Sequence, residues 1–168
     1  MYENTHFIYD EKQTDSNMIC DYITQNYENS EFNFENNNMW SYIFSHYSLP
    51  TIRNFSGKIK NIPKEIGQFT NLQYIYLCYN KIKNISKEIG KLTKLRHLYL
   101  SYNEIKNVPD EIGELTELEE LNLSHNKIKN IPDGIKLLTN LKMLNLHNNE
   151  IETELLTCVL NKMNINSL

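Results

Sequence analysis

The chain contains no alanine in its 168 residues, and only five glycines, four prolines and three cysteines. The missing alanine, set beside abundant Asn, Lys and Ile, is the bias of an AT-rich genome and carries no mechanism. Cys20, Cys78 and Cys158 are scattered, which supports neither a disulfide framework nor a zinc motif and predicts a reducing, intracellular, cytoplasmic setting. No apolar run reaches the roughly 18 residues of a membrane span, and the first residues lack a basic stretch followed by an apolar one, so no export leader is expected. There is no phosphate-binding loop, no nucleophile elbow and no pair of acids framed by a pocket. An enzyme is therefore not expected, nor is a cofactor or a metal.

What is present is a repeat. Shifting the sequence by 23 residues superposes Leu72, Leu95, Leu118 and Leu141, then Leu77, Leu100, Leu123 and Leu146, then Asn80, Asn103, Asn126 and Asn149. The frame reads L-x-x-L-x-L-x-x-N-x-I, continued by x-x-I-P-x-x-I-G-x-L-T-x. A fixed period of this length is the mark of a solenoid, in which each unit buries its apolar face only against its neighbours. The alternation x-L-x-L-x predicts a strand with both leucines inward and the intervening residues outward. The Asn ends the strand, and its amide is placed to bond the backbone of the turn and of the neighbouring coil. The 12 residues of each unit that follow the consensus block are too few for long helices, so short helical or 3₁₀ turns are expected on the convex side.

Complete units run over 72–94, 95–117 and 118–140, with a half unit over 141–151. The unit at 49–71 departs from the frame, with Asn54 at a leucine position and Gly57 at the ladder position. Residues 1–48 carry eight acids against Lys12 alone and are predicted to be a partly helical cap over the first coil, since solenoid ends need shielding. Residues 152–168 hold Leu155, Leu156, Val159, Leu160 and Met163 at helical spacing, which predicts a closing helix and tail.

The first half of the frame resembles the leucine-rich repeat. The second half, in Ile62-Pro63-Lys64-Glu65-Ile66-Gly67 and Val108-Pro109-Asp110-Glu111-Ile112-Gly113, is similar to the 23-residue class found in Ras-suppressor, Scribble-like and plant Ras-group proteins. Ser86 in place of a proline and Lys136 in place of a glycine depart from it. The resemblance implies an α/β solenoid: a right-handed superhelix with a parallel concave sheet, short turns on the convex side and capped ends. It also implies a non-enzymatic scaffold or adaptor that meets its partner on the concave sheet.

Outward strand residues should line up in rows. One row reads Thr51, Tyr74, His97, Glu120, Met143, and the next Arg53, Tyr76, Tyr99, Asn122, Asn145. A third reads Phe55, Cys78, Ser101, Ser124, His147, and the strand-end row Ser56, Tyr79, Tyr102, His125, Asn148. Tyr74, Tyr76, Tyr79, His97, Tyr99, Tyr102 and Glu120 are the candidate partner-binding residues, because contiguous exposed aromatics mark interaction sites. The competing explanation is cross-strand packing of β-prone rings. Asn80, Asn103, Asn126 and Asn149 are expected to form a structural ladder. Lys60, Lys83, Lys106 and Lys129 recur at one flank and raise an alternative, a nucleic-acid or polyanion binder. Against it stand the recurring Glu65, Glu88 and Glu111, the alternating row Lys81, Glu104, Lys127, Glu150 and a net charge of −4. A protein partner is the reading these residues favour.

Overall fold

The computed structural model describes residues 51–52 and 59–152. The expected cap over 1–48, the departures at Asn54 and Gly57, and the closing helix beyond 152 lie outside these residues. The strands are short: β1 (Thr51–Ile52), β2 (Asn61–Ile62), β3 (Tyr74–Tyr76), β4 (Asn84–Ile85), β5 (His97–Tyr99), β6 (Glu120–Asn122) and β7 (Met143–Asn145). They belong to two parallel sheets, β1-β3-β5-β6-β7 and β2-β4. Every pairing in the larger sheet is offset by one repeat, Thr51 to Tyr74, Tyr74 to His97, His97 to Glu120 and Glu120 to Met143. Coil-to-coil bonding continues past the strand ends, with the Leu77, Leu100 and Leu123 N–H groups donating to the Tyr99, Asn122 and Asn145 carbonyls at 2.8–2.9 Å.

The core is a set of apolar columns along the solenoid axis. Leu72, Leu95, Leu118 and Leu141 form one column, Ile75, Leu98, Leu121 and Leu144 a second, and Leu77, Leu100, Leu123 and Leu146 a third. Ile66, Ile89, Ile112 and Ile135 close the convex side. Each side chain packs on its equivalents one coil away, so burial is lengthwise.

The convex side is built from 3₁₀ turns, η1 (Lys64–Gln68), η2 (Lys87–Lys91), η3 (Asp110–Glu114) and η4 (Asp133–Leu137). Pro63, Pro109 and Pro132 lead into three of them with φ between −66° and −81°, the ring having fixed that torsion beforehand. Glycine follows from close approach. A Cβ on Gly90 would lie 2.7 Å from the Glu111 carbonyl oxygen, and one on Gly113 would lie 2.9 Å from the Gly134 Cα. Lys136 stands where the frame has glycine, and the glycine of that turn, Gly134, lies two residues earlier. Gly134 faces back onto coil 110–114, where a Cβ would overlap the Asp110 carbonyl oxygen at 1.9 Å.

The β2-β4 ribbon was not anticipated from the sequence. It pairs Asn61 with Asn84 and Ile62 with Ile85, then thins to a single bridge between Asn84 and Asn107. The physical reason lies one residue on. The Ser86 N–H donates to the Ile62 carbonyl at 3.1 Å. The corresponding residue in the next coil is Pro109, which has no N–H to give, so the ribbon stops.

Candidate functional site

Strand alternation puts the candidate residues on the face opposite the leucine columns, and the one-repeat register stacks them. In the first outward row Tyr74 and His97 lie ring on ring, centroids 4.9 Å apart and planes 18° from parallel. In the second, Tyr76 and Tyr99 stack at 5.0 Å and 13°. Tyr74 and Tyr76, on the same strand, are 6.4 Å apart and within 6° of parallel. Glu120 completes the cluster: its Oε2 accepts from the Tyr99 hydroxyl and lies 3.6 Å from His97 Nδ1. His97 and the Tyr99 hydroxyl hold the Glu120 carboxyl below the usual carboxylate range, against the opposing effect of burial. The structure thus gathers Tyr74, Tyr76, His97, Tyr99 and Glu120 into one aromatic patch with a carboxylate at its edge.

Tyr79 and Tyr102 form a separate stack at the strand ends. Their rings are 4.3 Å apart and 8° from parallel, and Tyr102 stacks in turn on His125 at 4.0 Å and 9°. Asn148 Nδ2 reaches His125 Nε2 at 3.0 Å and so extends the column by one coil. All four residues adopt left-handed backbone, with φ of 54°, 55°, 53° and 53° in chain order. The chain must leave the strand sharply here to bring the next residue, the ladder Asn, inward. Asn tolerates that conformation, whereas a bulky side chain in it costs about 1–2 kcal/mol. His125 was not among the residues singled out from sequence, although its place in the Tyr79–Tyr102 row was the signal.

One expectation is corrected. Alternation predicts a solvent-facing Tyr99, but the ring is only 2% exposed. It packs with Cys78, and Tyr76, Tyr79 and Met143 lie against that pair, while its hydroxyl is bound to Glu120. Asn122, in the same row, is fully buried, and its Oδ1 accepts from the Ser124 N–H at 3.0 Å and the Ser124 Oγ at 2.8 Å. The surface open to a partner is therefore the first row, Tyr76 of the second and the strand-end stack. Tyr74, Tyr76, Tyr79, His97, Tyr102 and Glu120 are all half-buried there.

The ladder residues sit just inside this face. The Oδ1 atoms of Asn80, Asn103, Asn126 and Asn149 accept from the backbone N–H of Ile59, Ile82, Ile105 and Ile128 at 2.9–3.1 Å. Asn103 Nδ2 donates to the Leu77 carbonyl of the preceding coil and the Leu100 carbonyl of its own, at 2.9 and 3.0 Å. Asn126 repeats this with Leu100 and Leu123. At the opposite edge of the sheet another row carries charge. Glu119 accepts from Arg96 Nε at 2.8 Å and from Lys142 Nζ at 2.6 Å, clamping three coils. Lys142 and Arg96 together hold its carboxyl below the usual range. These three residues, with Gln73, Glu117 and Asn140, line a polar cleft. The 23-residue spacing of Arg96, Glu119 and Lys142 was the overlooked signal. Among the described residues no three His, Cys, Asp or Glu side chains converge as a metal site, and no helix is long and apolar enough to cross a membrane. Cys78 is disulfide-bonded, and no second cysteine lies among the described residues.

The solved structures similar to this chain share its solenoid. A Leptospira interrogans leucine-rich-repeat protein is 32% identical, with a TM-score of 0.69 over 72% of this chain. An internalin (inlF) from Listeria monocytogenes is 29% identical, with a TM-score of 0.60 over 70%. Internalin C2 from the same organism, 24% identical with a TM-score of 0.55 over 68%, shares the fold. The chain spans 31% and 33% of the length of the first two. No curated protein matches its sequence. The family model described as a leucine-rich repeat region matches residues 30–168. Together with the one-repeat strand register and the asparagine ladder, this match places the chain in the leucine-rich repeat family.

Proposed function

We propose that the chain is a non-enzymatic interaction module, acting as a scaffold or adaptor, that binds a protein partner on the concave sheet at the coils beginning with Leu72 and Leu95. The observation that supports this most is the pair of half-buried ring stacks, Tyr74–His97 and Tyr79–Tyr102–His125. The coils that follow carry polar or flexible residues in the first row, Glu120 and Met143. Rigid aromatic area that costs little side-chain entropy is what interface anchors are made of. The Ras-suppressor, Scribble-like and plant Ras-group class is the proposed subfamily, supported by the I-P-x-x-I-G turns that form η1 and η3. Protein partners are also the usual ligands of leucine-rich-repeat domains.

The test is affinity capture of a partner by the wild-type chain, followed by titration of variants against it. Tyr74→Ala and Tyr102→Ala should each weaken binding by at least about 2 kcal/mol. Lys106→Ala, on the flank, should change it by less than about 0.5 kcal/mol. Full affinity in both tyrosine variants would move the site off the concave sheet. The polyanion alternative has a separate readout, a steep fall in binding between low and moderate salt. Supporting the protein reading, flank lysines are matched by acids: Lys83 and Lys127 lie 3.9 and 3.7 Å from Glu104, and Lys129 lies 3.5 Å from Glu150.

The compartment is a proposal of its own. Sparse cysteines favour a reducing cytoplasm, whereas a disulfide at Cys78 favours an oxidising one. A free-thiol count on chain recovered without reductant decides it: three for the cytoplasmic reading, fewer for the other.

A further inference from the structure

We infer that the concave sheet takes a basic side chain of its partner, an arginine, with the guanidinium paired to Glu120 and its stem lying along the Tyr74 and His97 rings. The inference rests on the concave sheet being the docking face, and it gives that face a chemistry. Across the four outward rows of the coils from Leu72 to Asn149, Glu120 is the single formally charged residue, and no lysine or arginine stands in any of them. Its side chain keeps 32% exposure. Both of its contacts, from the Tyr99 hydroxyl and His97 Nδ1, fall on Oε2. Oε1 has no partner among the described residues.

The cations flanking the sheet rows do not serve it. Arg96 and Lys142 stand one position outside the sheet rows, and both are bound to Glu119. A partner that covers this face must therefore supply a donor to Glu120 or bury an unsatisfied carboxylate oxygen, which is strongly unfavourable. An acidic partner would add like-charge repulsion. Lysine could satisfy the charge, but a guanidinium is more weakly hydrated, stacks on flat rings and forks onto a carboxylate. The stacked Tyr74 and His97 rings, half-buried in the adjoining coils, offer an apolar wall for the arginine methylenes.

The probes are blocked pentapeptides of sequence GGXGG, with X arginine, citrulline, leucine or glutamate, titrated into the full chain while the ring resonances of Tyr74 and His97 are followed by NMR. The arginine peptide should move both rings with a dissociation constant in the millimolar range. Citrulline, its uncharged isostere, should bind at least about fivefold more weakly to the same wild-type chain. Leucine and glutamate should leave the rings unmoved. Glu120→Gln, which keeps an oxygen for the Tyr99 hydroxyl, should weaken the arginine peptide by at least about fivefold, and Lys106→Glu should not change it. Equal affinity for arginine and citrulline overturns the inference without any mutation. So does an unchanged constant in Glu120→Gln, or no ring shift up to about 20 mM arginine peptide. Any of these leaves the docking face itself in place if Tyr74→Ala still releases a captured partner, and removes both if it does not.

Discussion

Two positions adjacent in every coil behave in opposite ways. At the strand-end position the residues are Tyr79, Tyr102, His125 and Asn148, different in kind but alike in backbone, each with φ near 54°. At the next position they are Asn80, Asn103, Asn126 and Asn149, alike in kind, and none has positive φ. The first position is constrained only in conformation, and its side chain is left to the surface. The second is constrained in chemistry, because one side chain must accept an N–H from the coil before it and donate to carbonyls of two coils. Only an amide of that length has both functions on adjoining atoms. Repetition in this chain therefore reports hydrogen-bond bookkeeping at one position, and variation at its neighbour reports a side chain free of that requirement.

The largest expected effect comes from breaking the invariant position. Asn103→Ala leaves the buried Ile82 N–H without its acceptor, and thermal or denaturant unfolding should show a loss of about 1–3 kcal/mol. A smaller effect distinguishes the two positions by backbone alone. Tyr102→Ala gives up the stacks on Tyr79 and His125, worth about 0.5–1.5 kcal/mol each, and keeps the left-handed strain. Tyr102→Gly gives up the same stacks but relieves that strain, so it should be the more stable variant by about 1 kcal/mol. At Asn103 the order should not favour glycine, since the backbone there is ordinary. Equal stability of the two Tyr102 variants would mean that left-handed backbone is not what constrains the position.

The smallest effect expected is the pH dependence of the face. Glu119 and Glu120 both have carboxyls held below the usual range in the folded chain. Each therefore contributes stability that is fully present above its unfolded value, near pH 4.3, and is lost as pH falls through the lower folded value. Melting temperature should be level above about pH 5 and fall in more acidic solution, with a shallower fall in Glu120→Gln. An unchanged acid limb in that variant would show that Glu120 is not linked to folding.

The columns of leucine, the rows of the concave face and the place of the ladder were all legible in the sequence, because a parallel register repeats whatever period the chain has. What escaped was decided by atoms rather than by period. The β2-β4 ribbon depends on whether a residue has an N–H, as Ser86 does and Pro109 does not. Alternation assigns Tyr99 and Asn122 to the outward face correctly, but it says nothing about how closely they are packed once there. Gly134 shows the same limit, since the frame demands a glycine two residues later and close approach to the Asp110 carbonyl places it where it is. At the candidate site, row membership identified which rings meet. The left-handed turn that sets Tyr79, Tyr102 and His125 in one column leaves no mark in residue type, since two of the three are tyrosines.

The ladder also has a direction. Each Asn serves the coil before its own: Asn126 accepts from the Ile105 N–H and donates to the Leu100 carbonyl, and Asn149 does the same for Ile128 and Leu123. The ladder bond to each buried Ile N–H thus comes from the succeeding coil, never from the preceding one. If residues 95–117 were excised as a unit, Asn126 would meet the Ile82 N–H and the Leu77 carbonyl that Asn103 now serves, and the ladder would close again one rung shorter. A cut that is not a whole number of repeats would bring the wrong side chain to that N–H. Coil number is in this sense a free variable of the chain, changeable only in whole steps, and an array built this way is polar in the sense that a filament is, its two directions being chemically distinct.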